Sequence, residues 1–140
     1  MKLSFPEIEF GILAEYYEKG EGIKGEFIDS WNLIEEFYST FSESWSSNGE
    51  DALRLIKEMR KVGLDEELRV GQSLWFFIMS RLRRHGLEEN THYIQITFLG
   101  NNRMNIESHL DGKETKQKSK VEYKGYLEET VKRLLKEKIK

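Results

Sequence analysis

The spacing of apolar and polar positions changes twice along the chain, dividing it into a helical first part, a strand-forming second part and a helical end. Ser4, Pro6 and Glu7 have the arrangement of a helix start: a hydroxyl cap, a proline in the first turn and a glutamate to return the hydrogen bond. Ile8, Ile12 or Leu13, and Tyr16 follow at helical spacing until Gly20. From about Phe27 to Trp45, the residues Phe27, Trp31, Ile34, Tyr38, Phe41 and Trp45 are separated by alternating fours and threes, which predicts a second helix with a seam of large rings. Ala52, Leu55, Ile56, Met59 and Val62 predict a third, capped by Ser47 or Asn48 and stopped at Gly63 and Leu64. A short helical turn at Asp65, Glu66 and Glu67 leads onward.

Leu74 to Met79 is the longest uninterrupted apolar run. At 3.6 residues per turn it would put apolar groups on every side of a helix, so it predicts a central buried helix over 71–85. Arg81, Arg83, Arg84 and His85 then fall at its carbonyl end, where the macrodipole favours positive charge, and Gly86 supplies the stop.

Beyond this point the period becomes two. Ile94, Ile96 and Phe98 alternate with Tyr93, Gln95 and Thr97, and Met104 and Ile106 alternate with Asn105 and Glu107. A turn at Gly100, Asn101 and Asn102 pairs Phe98 with Met104 and Ile96 with Ile106, and it places Tyr93 opposite His109 on the polar face. Asp111-Gly112, read as a two-residue hairpin turn, pairs Ser108 with Thr115 and Ile106 with Gln117, sending Lys116, Lys118 and Lys120 outward. From about Tyr123 the helical period returns, with Leu127, Val131, Leu134 and Leu135 on one stripe. The expected fold is α+β over a single domain, 1–140: four N-terminal helices around the central helix (71–85), a three-stranded antiparallel meander (about 92–121) and a C-terminal helix.

The chain of 140 residues is long enough to bury about two-thirds of its unfolded surface, and it contains no cysteine, which removes disulfides, thiolate metal sites and a cysteine nucleophile. Pro6, Glu7 and Glu9 interrupt the place where a signal peptide has its apolar stretch, and six apolar residues are far short of a membrane span. A cytoplasmic protein with no membrane contact is expected. Residues 1–68 hold 7 Lys and Arg against 16 Asp and Glu, a charge of −9; residues 69–140 hold 15 against 9, a charge of +6. Either the halves neutralise each other inside the molecule, or they present two surfaces of opposite sign, one of which meets a partner.

Several motifs dissolve in context. Gly20 to Gly25, GEGIKG, matches a dinucleotide-binding glycine pattern, but a glutamate-rich helix precedes it where such a site needs a buried strand. It is read as an interhelical connection with Ile23 turned inward. Gly71-Gln72-Ser73-Leu74-Trp75 begins like a nucleophile elbow but has Trp75 in place of the second glycine. His92 and His109 are expected on opposite faces; only His85 and His92, with Glu88 or Glu89, could converge on zinc. No cofactor, metal or catalytic residue is assigned.

The expected function is a small cytoplasmic, non-enzymatic protein-binding module of inhibitor, neutralising or adaptor type. Its candidate partner-binding residues are Arg81, Arg84 and His85 at the end of the central helix, with Tyr93, Arg103, His109, Lys116 and Lys118 on the outer sheet face. A homodimer through the aromatic helix, at Trp31, Phe41 and Trp45, is a further possibility. Two alternatives stand beside this reading. One is a winged-helix-like nucleic-acid binder, whose third and fourth helices and hairpin occur in the required order. The other is a small metal- or ligand-binding protein.

Overall fold

The computed structural model describes residues 22–45, 47–73, 76–83 and 91–140. Two helices, α1 (Gly22–Trp45) and α2 (Ser47–Lys61), lead through a 3-10 turn (Leu64–Glu66) into five strands. These are β1 (Arg69–Ser73), β2 (Phe76–Ser80), β3 (Tyr93–Gly100), β4 (Arg103–His109) and β5 (Lys113–Lys118), after which α3 (Tyr126–Leu135) closes the chain. The strands form one antiparallel sheet in the order β1-β2-β3-β4-β5, so each strand lies beside its neighbour in sequence. The class is α+β. The described residues hold three helices and a five-stranded sheet, in place of four helices before a three-stranded meander.

The predicted central helix over 71–85 is the main correction. β1 and β2 occupy that stretch and pair as a hairpin, with Val70 opposite Met79 and Gln72 opposite Phe77. An unbroken apolar run suits a strand covered on both faces as well as a buried helix, and only length or punctuation separates the two. Here Phe77 and Met79 are buried while Phe76 and Ile78 on the other face are half-buried. Among the described residues the order of elements expected of a winged helix is also lost: a strand pair stands where its recognition helix would be.

α1, α2 and α3 pack on one face of the sheet. That face presents Val70, Phe77, Met79, Ile94, Ile96, Phe98, Met104 and Ile106, all buried against Trp31, Ile34, Tyr38, Ala52, Leu55, Ile56, Met59, Leu127, Val131 and Leu134. Trp31, Ile34 and Tyr38 of the α1 seam lie inside this core. Trp31 is 0% exposed, meets Phe77 edge-on with ring centroids 6.1 Å apart, and donates its indole N–H to the Leu68 carbonyl at 2.8 Å. Tyr38 packs on Phe37, Phe77 and Phe98, and burial raises its phenol pKa well above the ordinary tyrosine range. In its own fold, then, Trp31 is a core residue rather than an exposed dimer contact. Phe41 and Trp45 lie in α1 outside the part whose side chains are described.

α1 begins at Gly22, earlier than the seam alone predicts, so Gly22 to Gly25 form its first turn and Ile23 points to solvent. α2 keeps its predicted stripe except Val62, which is exposed beyond the helix end. Gly63 takes the left-handed conformation (φ 90°), and Leu64 after it is buried. Arg60 fastens three elements here, contacting Glu35 of α1 at 3.3 Å and Asp65 of the 3-10 turn at 3.0 Å. The predicted helix from Ser4 to Lys19, together with Gly20 and Glu21, lies outside the described residues.

The β3-β4 register is the predicted one: Phe98 opposes Met104, Ile96 opposes Ile106 and Tyr93 opposes His109. Asn101 and Asn102 both have positive φ (56° and 62°), the conformation required at the two central residues of a tight hairpin turn. This tip is a junction. The Asn102 backbone N–H donates to Asp51 Oδ2 at 3.0 Å, while its side-chain Oδ1 accepts from Arg54 at 2.6 Å and from the Val121 N–H at 3.0 Å. Asn48 donates to the Phe98 carbonyl at 2.6 Å, so α2, the hairpin and the crossover to α3 meet at one point.

β5 is displaced by one residue from its predicted pairing. Ser108 opposes Glu114 and Ile106 opposes Lys116, because three residues, Leu110 to Gly112, make the turn rather than two. The buried Leu110 explains the extra residue: it leaves the ladder to put its side chain in the core. A one-residue slip turns every side chain of a strand to the opposite face, so Glu114, Lys116 and Lys118 face the helical layer and Thr115 and Gln117 face out. Tyr126 of α3 receives them, donating its hydroxyl to Glu114 at 2.9 Å with Lys116 Nζ 5.6 Å from its ring centre.

Candidate functional site

Three rows of side chains cross the sheet face turned away from the helices, and no described element covers it. The rows are Phe76, Thr97, Asn105 and Gln117; Ile78, Gln95, Glu107 and Thr115; and Ser80, Tyr93, His109 and Lys113. The surface is half-apolar over β2 and polar over β4 and β5.

Glu107 is its hub. One carboxylate oxygen lies 2.9 Å from His109 Nε2 and accepts from the Gln95 amide at 3.2 Å; the other lies 3.3 Å from Lys113 Nζ. The bond to His109, reinforced by Lys113, holds the Glu107 carboxyl below the usual glutamate range against the opposing effect of burial. Tyr93 stacks on the His109 ring, centroids 4.3 Å apart and 12° between planes. Burial, with the Glu107 charge behind it, raises the Tyr93 phenol pKa. Four strand-borne side chains and the lysine at the start of β5 therefore hold one another in one arrangement through contacts within the sheet.

Of the residues singled out from the sequence, Tyr93 and His109 meet in this cluster. Arg103 is on the sheet but at its far end, about 20 Å along the strand, where its guanidinium donates to the Gly100 and Leu99 carbonyls at 3.2 and 3.3 Å. Lys116 and Lys118 are on the helical side; Lys118 donates to the Lys124 carbonyl at 3.1 Å and lies 3.6 Å from Glu122. Arg81 is a structural clamp, donating from Nε to the Glu137 carbonyl at 3.0 Å and from a terminal nitrogen to the Glu67 carbonyl at 2.6 Å. Arg84 and His85 lie outside the described residues.

Gln95, Glu107 and Lys113 are the members that sequence reading missed. Gln95 and Glu107 were legible as cross-strand neighbours once the β3-β4 register was fixed, whereas Lys113 depended on the turn length that Leu110 alters. His92, considered for zinc, has Nδ1 2.5 Å from Glu137 Oε2 at the C-terminal end; His85, Glu88 and Glu89 lie outside the described residues. Among the described residues, no group of three His, Asp or Glu could hold a metal, and no helix is long and apolar enough to cross a membrane.

The acidic and basic halves meet partly inside the molecule. Arg83 grips the buried Glu26 of α1 with both ends of its guanidinium, and Arg81 reaches Glu67 at 3.4 Å. The described residues define an α+β fold with three helices layered on one face of a five-stranded meander. Comparison with protein-family models, with curated proteins and with solved structures gave no match.

Proposed function

We propose that this is a small cytoplasmic, non-enzymatic protein-binding module of inhibitor, neutralising or adaptor type, which meets its partner with the outer face of the sheet. The observation that carries the reading is the Tyr93-Gln95-Glu107-His109-Lys113 cluster: preorganised, half-buried except for the exposed Lys113, and bordered by the apolar Phe76 and Ile78 on a face that no described helix covers. An aromatic and polar centre beside apolar surface is the composition that protein interfaces favour, and side chains already fixed lose little entropy on docking.

The test is affinity capture from the native cell lysate, treated with nuclease at moderate salt, using the wild-type chain, Thr97→Arg at the middle of the outer face and Lys57→Glu on the exposed side of α2. One stoichiometric protein captured by wild type and Lys57→Glu but lost with a folded Thr97→Arg variant is the expected outcome. Equal capture by all three chains, or capture of nucleic acid alone, would overturn the reading.

A further inference from the structure

Among the described residues, β5 is the one strand of the sheet with an open edge and exposed side chains on both faces. Lys113 to Gln117 are all exposed, Lys118 is half-buried, and the strand pairs only with β4. β1, at the opposite edge, is buried from Arg69 through Gln72. An open edge presents a row of backbone donors and acceptors that a second strand can use.

Charge selects what that strand can be. Residues 113–124 hold five lysines (113, 116, 118, 120 and 124) and two glutamates (114 and 122), a charge of +3. A second copy of β5 brings the same sign, and the antiparallel register that pairs all six residues sets Lys113 against Lys118. Like charges directly opposite each other destabilise a strand pair and unlike charges stabilise it. The lysines that discourage self-association therefore favour an acidic strand. The three lysines of β5 are also held in place: Lys113 by Glu107, Lys116 by the Tyr126 ring and Lys118 by the Lys124 carbonyl.

From this geometry we infer that β5 is a strand-addition site for an extended acidic peptide segment of the partner, which pairs along Lys113 to Lys118 as a sixth strand. The inference rests on the protein-binding reading and adds the chemistry and backbone conformation of what is bound. The added strand would lie beside Lys113, Thr115 and Gln117, the β5 members of the outer-face rows, so the two surfaces are continuous.

The test uses the intact chain and a short synthetic peptide of alternating glutamate and threonine, with binding read by fluorescence anisotropy and the site by amide hydrogen exchange. Three comparison probes are the same peptide N-methylated at alternate amides, its lysine counterpart and a short single-stranded DNA. Expected are slowed exchange confined to 113–118, a loss on the order of ten-fold or more in affinity on N-methylation, equivalent to at least about 1.4 kcal/mol, and no binding of the lysine peptide. Equal affinity of the methylated peptide would mean unspecific charge attraction. Protection by DNA as strong as by the peptide would mean a polyanion surface, and a β5-linked dimer of the free chain would mean that the edge serves a second copy; each overturns the inference. Failure of the peptide while Thr97→Arg still abolishes capture removes the edge and leaves the outer face. Peptide binding with capture indifferent to Thr97→Arg does the reverse.

Discussion

Asn102 combines a left-handed backbone with two hydrogen bonds accepted by its side chain, and two substitutions separate these contributions. Asn102→Gly keeps the backbone conformation and loses both bonds, for an expected cost of about 1–3 kcal/mol. Asn102→Ala loses the same bonds and adds left-handed strain, about 1 kcal/mol more. Urea denaturation of the two variants checks the order. Glu107 supplies a pH-dependent term. Its carboxyl titrates lower in the fold than in the unfolded chain, so its contribution to stability is present above the ordinary glutamate range and is lost as pH falls through the lowered value. Melting curves between about pH 5 and pH 3 should therefore fall less steeply for Glu107→Gln than for wild type. Parallel acid limbs would show that His109 and Lys113 do not hold the charge.

Among the elements, legibility followed the strength of the local signal. The β3-β4 hairpin could be read residue by residue, because alternation fixed the faces and the asparagines fixed the turn. The α1 seam and the α3 stripe were equally clear, since Trp31, Ile34 and Tyr38, and Leu127, Val131 and Leu134, recur at helical spacing and are buried. Two signals were ambiguous. Leu74 to Met79 carries no period, so sequence could not distinguish a helix buried all round from a strand with apolar residues on both faces; the answer depends on β3 lying alongside. Leu110 looked like the last residue of β4, and its burial outside the ladder turned β5 over, removing Lys116 and Lys118 from the outer face. The site was accordingly half legible: Tyr93 and His109 follow from the readable hairpin, while Lys113 follows from the unreadable turn. The position of Trp31 yields a prediction for α1. Trp31→Ala opens a large cavity and leaves the Leu68 carbonyl without its donor, so it should cost about 3–5 kcal/mol. Chemical denaturation should show that loss, and sedimentation should show no change in oligomeric state.

For the whole molecule, the clamp at Arg81 joins the 3-10 turn, the end of β2 and the residues after α3. Its own carbonyl accepts from the Lys140 N–H at 2.9 Å, completing a ring of contacts with Glu67 and Glu137. Arg81→Ala removes the donors of two carbonyls and should destabilise the fold by about 2 kcal/mol while leaving partner capture unchanged. Loss of capture in a folded Arg81→Ala variant would return this arginine to the binding surface.

The junction at the β3-β4 tip also constrains the order of assembly. Every connection in the sheet is local, so hairpins can form as soon as their two strands exist, but the Val121 N–H finds its acceptor only after Asn102 has taken its left-handed turn against α2. Docking of α3 is therefore expected to follow closure of the tip on Asp51, with the C-terminal helix late in assembly. In stopped-flow experiments, Asn102→Gly should slow refolding, whereas substitutions within α3 should mainly hasten unfolding.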